Sequence, residues 1–262
     1  MELPRTSLYY DLFPSDITAT ASARPLLLLH GFLGTPASDF ALQIPSLSQE
    51  YTILAPHLHG HGLSSHRSTY TTSYYREDVA DIVALLDKLS LSRVFVVGFS
   101  DGAIVGLLLA ALHPERVVAM AIHGAQHLIT TRDTAAIRSW LLETPLSPYW
   151  QEQLTVLHGD PYWRSLLPLY VHVQEELVAE GGILISDGEL AAIRYPTLIM
   201  HGIHDRVVAV EYASMLSRHI SGAQLRLFDA GHALHLRCAD EYTSTVMNFF
   251  RNCIQPSDHF SE

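Results

Sequence analysis

A serine and an aspartate stand side by side between two glycines in GFSDG, residues 98–102, with the apolar run RVFVV before them and AIVGLLLAAL after them. A serine hydroxyl is a poor nucleophile near neutral pH unless an imidazole removes its proton, and the imidazole needs a carboxylate to fix its tautomer. Partners of both types follow in the order acid, then histidine. TLIMHGIHDRVV supplies Asp205 and LRLFDAGHALHL supplies His232, each just past an apolar run. Ser100, Asp205 and His232 in that order, with the serine on a sharp strand-to-helix turn, suit covalent acyl transfer. Two neighbours offer alternatives: Asp229, equally suited to a helix cap, and His235, a second candidate for the base.

Acyl transfer also needs donors for the oxygen that becomes negative in the transition state. LLLLHGFLGTP places Phe32 just past an early apolar run, where its backbone amide can pair with that of Asp101, the residue after the serine. Gly98 and Gly102 leave room for the strained turn that such a serine requires.

The elements that would hold these groups are legible as alternating patterns. RPLLLLHG (24–31), EYTILAPH (50–57), SRVFVVGFS (92–100), ERVVAMAIHG (115–124), YPTLIMHG (195–202) and AQLRLFDAG (223–231) are short apolar runs ended by turn residues. Such runs are expected of strands buried on both faces. Between them, YYREDVADIVALLDKL sets Val79, Ile82, Val83, Leu86 and Leu89 at helical spacing, with Asp78, Asp81 and Asp87 on other faces. Gly102–Leu112 is apolar all round and is expected to cross the middle of the sheet, and Glu211–Arg218 and Asp240–Phe250 fit two further helices. Alternating strand and helix implies a mostly parallel, doubly wound α/β sheet. Residues 125–194 break the rhythm with helical patches, aromatics and prolines. They are expected to form a helical cap over the carboxyl edge of the sheet, leaving 1–124 and 195–262 as the core.

Composition limits what this arrangement can act on. With 48% apolar and 16% charged residues, 262 residues are enough to bury one substantial core. The formal charge of −11, with only 16 Lys and Arg, disfavours nucleic acid and anionic membrane as partners and points to a small-molecule ligand. Cys238 and Cys253 are too few for a disulfide framework, and MELPRTSLYYDLFPSD lacks the pattern of a signal peptide, so a cytoplasmic protein is expected. The longest apolar run, Ala103 to Leu112, is half a membrane span. QPSDHFSE reads as a frayed tail. His57, His59 and His61 alternate in PHLHGHG, but a glycine-containing loop is a poor frame for a metal, so no metal or other cofactor is expected.

The set HGFLG, GFSDG, HGIHD and AGH resembles the α/β-hydrolase superfamily over nearly the whole chain. GTPASDF, GFSDG and GHALHLRCADEY are similar to the valacyclovir hydrolase (biphenyl hydrolase-like) branch. The resemblance implies the α/β-hydrolase fold with a cap, a cofactor-independent serine hydrolase acting on a small carboxylic ester, and, for Asp101, a role in receiving the free amino group of an α-amino-acid ester. Asp101 is also well placed to do no more than favour the N-terminus of the following helix. Relatives that cleave carbon–halogen bonds or epoxides use aspartate where Ser100 stands, which argues against those reactions. Carbon–carbon bond, thioester and lactone hydrolysis use the same triad, and a slow-turnover binding or signalling protein of this fold is the alternative from another class. The aromatic residues Tyr149, Trp150, Tyr162, Trp163 and Tyr170 divide between an acyl pocket and the interior of the cap. Trp150 and Trp163, with Phe32, are the pocket candidates.

Overall fold

The computed structural model describes residues 8–15 and 24–253; the terminal QPSDHFSE lies outside them. The six apolar runs form parallel strands: β2 (Pro25–Leu29), β3 (Thr52–Pro56), β4 (Val94–Phe99), β5 (Val117–His123), β6 (Thr197–Gly202) and β7 (Gln224–Phe228). A short strand not anticipated from the sequence, β1 (Tyr10–Phe13), pairs antiparallel with β3 and completes the order β1-β3-β2-β4-β5-β6-β7. Its four half-exposed residues are too few to show a period.

The central strands are apolar because both of their faces are covered. Every residue of β2 and β5 is buried, and register pairs Leu28 with Val97, Val97 with Ala121, and Ala121 with Leu198. β7 departs from the expectation of burial on both faces: its first four residues are exposed and only Phe228 is buried, because it is the outermost strand.

Helix α1 (Pro36–Phe40) begins at a reciprocal capping box in which Thr35 and Ser38 bond each other's backbone N–H, and α2 (Ile44–Leu47) follows at once. On α3 (Tyr74–Lys88), Val79, Ile82 and Leu86 are buried as their spacing predicts. Asp78 is buried as well, against expectation, because Arg67 from the preceding loop forms an ion pair with it. α4 (Asp101–Leu112) packs on α3 and β4 and buries ten of its twelve residues, which explains why it is apolar on all sides.

Between β5 and β6 lie α5 (Thr131–Arg138), extended by a π-helical turn at Ser139–Glu143, then α6 (Pro148–His158), α7 (Tyr162–Ala179) and α8 (Asp187–Ala192). An isolated antiparallel bridge, Leu128 with Ile183, ties the two ends of this segment. α9 (Val210–His219), α10 (Leu234–Arg237) and α11 (Ala239–Cys253) complete the chain. Among the described residues no helix is long and apolar enough to cross a membrane.

Because Leu108 is fully buried on α4, Leu108→Ala is expected to cost about 2–5 kcal/mol of stability in a denaturant titration. Leu225→Ala, on the exposed edge strand, should stay within about 0.5 kcal/mol of the parent.

Candidate active site

The turn between β4 and α4 holds Ser100 at φ +52° and ψ −120°, a left-handed backbone that an L-residue adopts only under constraint. Close approach explains the two glycines around it. A Cβ at Gly98 would lie 2.8 Å from Ala103 Cα, and one at Gly102 would overlap the carbonyls of Leu29 and His30. The Ser100 N–H donates to the His123 carbonyl at 3.0 Å, which binds the turn to β5.

Three parallel strands end at the same edge, and their loops deliver the three expected side chains to one place. His232 Nε2 is 3.1 Å from Ser100 Oγ, and His232 Nδ1 is 2.7 Å from Asp205 Oδ2. Asp205 follows β6; its side chain is fully buried, and its Oδ1 accepts the N–H groups of Val207 and Val208 at 2.8 and 2.9 Å. Burial alone would raise the Asp205 pKa, but hydrogen bonding to His201 and His232 outweighs it and holds the carboxyl well below its ordinary range.

Neither alternative from the sequence joins this array. Asp229 is exposed and pairs with His204 at 2.8 Å. His235 is fully buried, borders the cavity beside Ser100, and lies in a chain with His123 (2.8 Å) and Tyr242 (His123 to the Tyr242 hydroxyl, 3.0 Å).

The loop carrying Phe32 abuts the serine: a Cβ at Gly31 would come within 3.2 Å of Ser100 Cβ. Two side chains shape this loop. Asp39 Oδ2 accepts the Gly31 N–H at 2.9 Å, and buried His30 donates from Nδ1 to the Gly31 carbonyl at 2.8 Å while its Nε2 accepts the Leu58 N–H at 2.9 Å. Burial pushes the His30 pKa down to about 3, so it serves as a neutral donor and acceptor. From α6, His158 donates to the Leu33 carbonyl and accepts the Gly62 N–H, both at 2.9 Å, joining the cap to the same loop. Asp101 opens α4, so its N–H is one of the amides that a helix start leaves without an intrahelical partner.

Above Ser100 is a cavity of about 390 Å³ between core and cap. Phe32, Ile104 and Val208 wall it from the core, and Ile137, Trp150 and Leu154 from the cap. Trp150, half exposed, stands in the wall as expected. Trp163 does not: it is 1% exposed inside the cap, with its indole N–H donating to Thr155 and the Arg164 guanidinium over its ring. Phe32 stacks on Tyr170 of α7, centroids 3.7 Å apart. A larger open hollow of about 580 Å³ lies between β7 and α11 and touches none of these residues.

Asp101 is also in the wall, buried, and held by tyrosines. The hydroxyls of Tyr75 and Tyr170 donate to Oδ1 at 2.9 and 2.8 Å, and that of Tyr74 to Oδ2 at 3.4 Å. Burial raises its pKa to about 6, with the tyrosine hydroxyls limiting the rise. Gln126, 6% exposed, lines the cavity and its amide oxygen is buried without a hydrogen-bond partner. The tyrosine cradle has no signal in the sequence, since its members arrive from distant helices, and nothing in the sequence marks Gln126. His57, His59 and His61 do not converge on one point: His57 bonds Asp11 and the Leu63 N–H, whereas His61 packs between His30, Phe32 and His158.

A family model described as alpha/beta hydrolase fold matches residues 24–168. Serine hydrolase BPHL of mouse (Mus musculus) is 32% identical over 86% of this chain and 79% of its own length; its human (Homo sapiens) counterpart is 30% identical over the same shares. Among solved structures, a 2-hydroxy-6-oxo-6-phenylhexa-2,4-dienoate hydrolase from Rhodococcus sp. strain RHA1 superposes with a TM-score of 0.75 at 22% identity, covering 94% of this chain and 99% of that one. With fold, strand order and relatives in agreement, the chain belongs to the alpha/beta hydrolase fold family and is a serine hydrolase similar to BPHL.

Proposed function

We propose that the chain hydrolyses a small carboxylic ester through an acyl-enzyme on Ser100. The reading rests above all on one observation: Asp205, His232 and Ser100 lie in hydrogen-bonded series at the floor of an apolar cavity. Ser100 Oγ attacks the ester carbonyl while His232 Nε2 takes the hydroxyl proton. Asp205 holds the proton on Nδ1, so the nitrogen facing the serine carries the lone pair. The backbone amides of Phe32 and Asp101 donate to the oxyanion of the tetrahedral intermediate. As the carbon–oxygen bond breaks, His232 returns the proton to the departing alkoxide. Water, deprotonated by the same imidazole, then attacks the acyl-enzyme, and collapse of the second intermediate frees the acid and restores the serine.

The substrate class is read from polar groups in a largely apolar wall that also carries Asp39 and Gln174. Asp101 and Gln126 both present acceptor oxygens, and Asp101 Oδ2 has only one long tyrosine contact, so it retains capacity for a donor. A net charge of −11 favours approach of a cation. An α-amino-acid ester supplies both the ammonium and the carbonyl. The cap-side apolar residues then hold its side chain or alcohol.

Ser100→Ala is expected to lower kcat by up to about 10⁶-fold and Asp205→Asn by roughly 10⁴-fold, with the fold retained by circular dichroism. An unchanged rate in Ser100→Ala would remove the mechanism.

For a valine ester, the free amine should be turned over with a kcat/KM about tenfold or more above that of its N-acetyl derivative, since a charge-assisted contact is worth about 1.5–3 kcal/mol. The sign of the pH dependence follows from Asp101. Below its raised pKa of about 6 the carboxylate is protonated and loses its attraction for ammonium, so the ratio of the two kcat/KM values should fall as pH drops through 6. Asp39, another carboxyl of the cavity wall raised by burial to about 6, is told apart by Asp101→Asn, which should abolish the pH dependence of the ratio. Equal rates on the two esters at every pH would remove the amino-ester assignment and leave the ester mechanism standing.

A further inference from the structure

Outside the cavity, three side chains from distant parts of the chain meet at the base of the cap. His127 follows β5, where the chain leaves the core; Asp187 opens α8, shortly before it returns; His219 ends α9. One ligand-competent atom from each lies within 4.8 Å of the other two. His219 Nε2 is 3.3 Å from Asp187 Oδ1, and the rings of His127 and His219 have centroids 5.6 Å apart.

Each of the three is held by bonds that leave a lone pair available. His219 Nδ1 donates to the Met215 carbonyl at 2.8 Å, so its Nε2 carries the lone pair. That outer hydrogen bond is the kind that orients metal-binding imidazoles. The His127 carbonyl accepts the N–H groups of Leu184 and Ile185, both at 3.0 Å, which fixes its backbone against the returning end of the cap. Its side chain is 3% exposed, and Nδ1 is buried with no hydrogen-bond partner. An orphaned buried nitrogen in a native fold calls for a ligand or other explanation. Asp187 is fixed at the first position of α8, whose cap residue Ser186 is locked reciprocally with Glu189.

We propose that His127, Asp187 and His219 form a binding site for a divalent transition-metal ion of the zinc type, completed by water. Two imidazoles and a carboxylate are ligands that zinc accepts, and bonds of about 2.0–2.2 Å place tetrahedral ligand atoms about 3.4 Å apart. His219 Nε2 and Asp187 Oδ1, 3.3 Å apart, already stand at that spacing, and the exposed Asp187 side chain can adjust toward His127 by rotation. Solvent reaches the cluster past Asp187, so a water can take the open position. None of the three residues lines the cavity above Ser100. The ion therefore takes no part in ester hydrolysis; it cross-links both ends of the cap segment to α9.

The test uses the full chain after chelator treatment and dialysis, titrated with zinc chloride by calorimetry and with cobalt(II) by visible absorption. One zinc per chain is expected, with the absorption of tetrahedral cobalt and a rise in Tm of at least about 5 °C at saturation. His219→Gln and Asp187→Asn should each weaken zinc binding at least tenfold while leaving ester turnover and the metal-free Tm within error of the parent. Both side chains reach solvent, so loss of binding in a variant with unchanged metal-free Tm reports ligation and not misfolding. Absence of binding to the parent would overturn the site, and undiminished binding to the double variant would overturn it and assign the bound zinc to other residues. Either result leaves the assignment of Ser100 untouched.

Discussion

Holding Ser100 at φ +52° costs on the order of 1–3 kcal/mol, and the fold is arranged so that this strain persists. β4 lies buried between β2 and β5, and α4 is covered on nearly every side, so neither flank of the turn can relax. Glycine at 98 and 102 lets helix and strand approach at distances that a methyl group would forbid. The turn lifts the hydroxyl above the sheet edge and leaves the first amides of α4 free beside it. The loops after β2, β6 and β7 open on that edge because the strands are parallel, which brings Phe32, Asp205 and His232 to the same point.

Electrostatics around the turn are set largely by what has been kept neutral. His30 and His235 are pushed to about 3, and His61 and His123 well below the ordinary imidazole range, chiefly by burial. These rings act as rigid hydrogen-bonding struts. Asp205, by contrast, is held ionised by its hydrogen bonds to His201 and His232. Helices α6 and α7 are joined to these residues by side chains: His158 bonds the loop that follows Phe32, and Tyr170 bonds Asp101 and stacks on Phe32. Movement of α6 or α7 is thereby coupled to the geometry beside the serine.

The triad was legible because each member sits in a short local pattern at the end of an apolar strand, where turn chemistry and chain order carry information. The sheet was legible for the same reason, except at its edges. β1 is too short to show a period, and β7 has the composition of an inner strand but an exposed face. The cap wall was not legible. Trp150 and Trp163 are equivalent by composition, and only the docking of α6 and α7 turns one to the cavity and the other inward. Likewise Asp101 meets tyrosines 26 and 69 positions away, and Asp78 is internal because Arg67 reaches it. His127, Asp187 and His219 come together only in the fold, since they have no ligand spacing in sequence.

The central claim is that Ser100 is a nucleophile made reactive by His232 and Asp205. The most direct measurement is intact-protein and peptide mass spectrometry after exposure to a fluorophosphonate, which captures only an activated hydroxyl. One adduct per chain, mapped to Ser100, formed slowly or not at all in His232→Ala, is the expected result. A folded protein that takes no label, or takes it at another residue at the same rate with and without His232, would contradict the account.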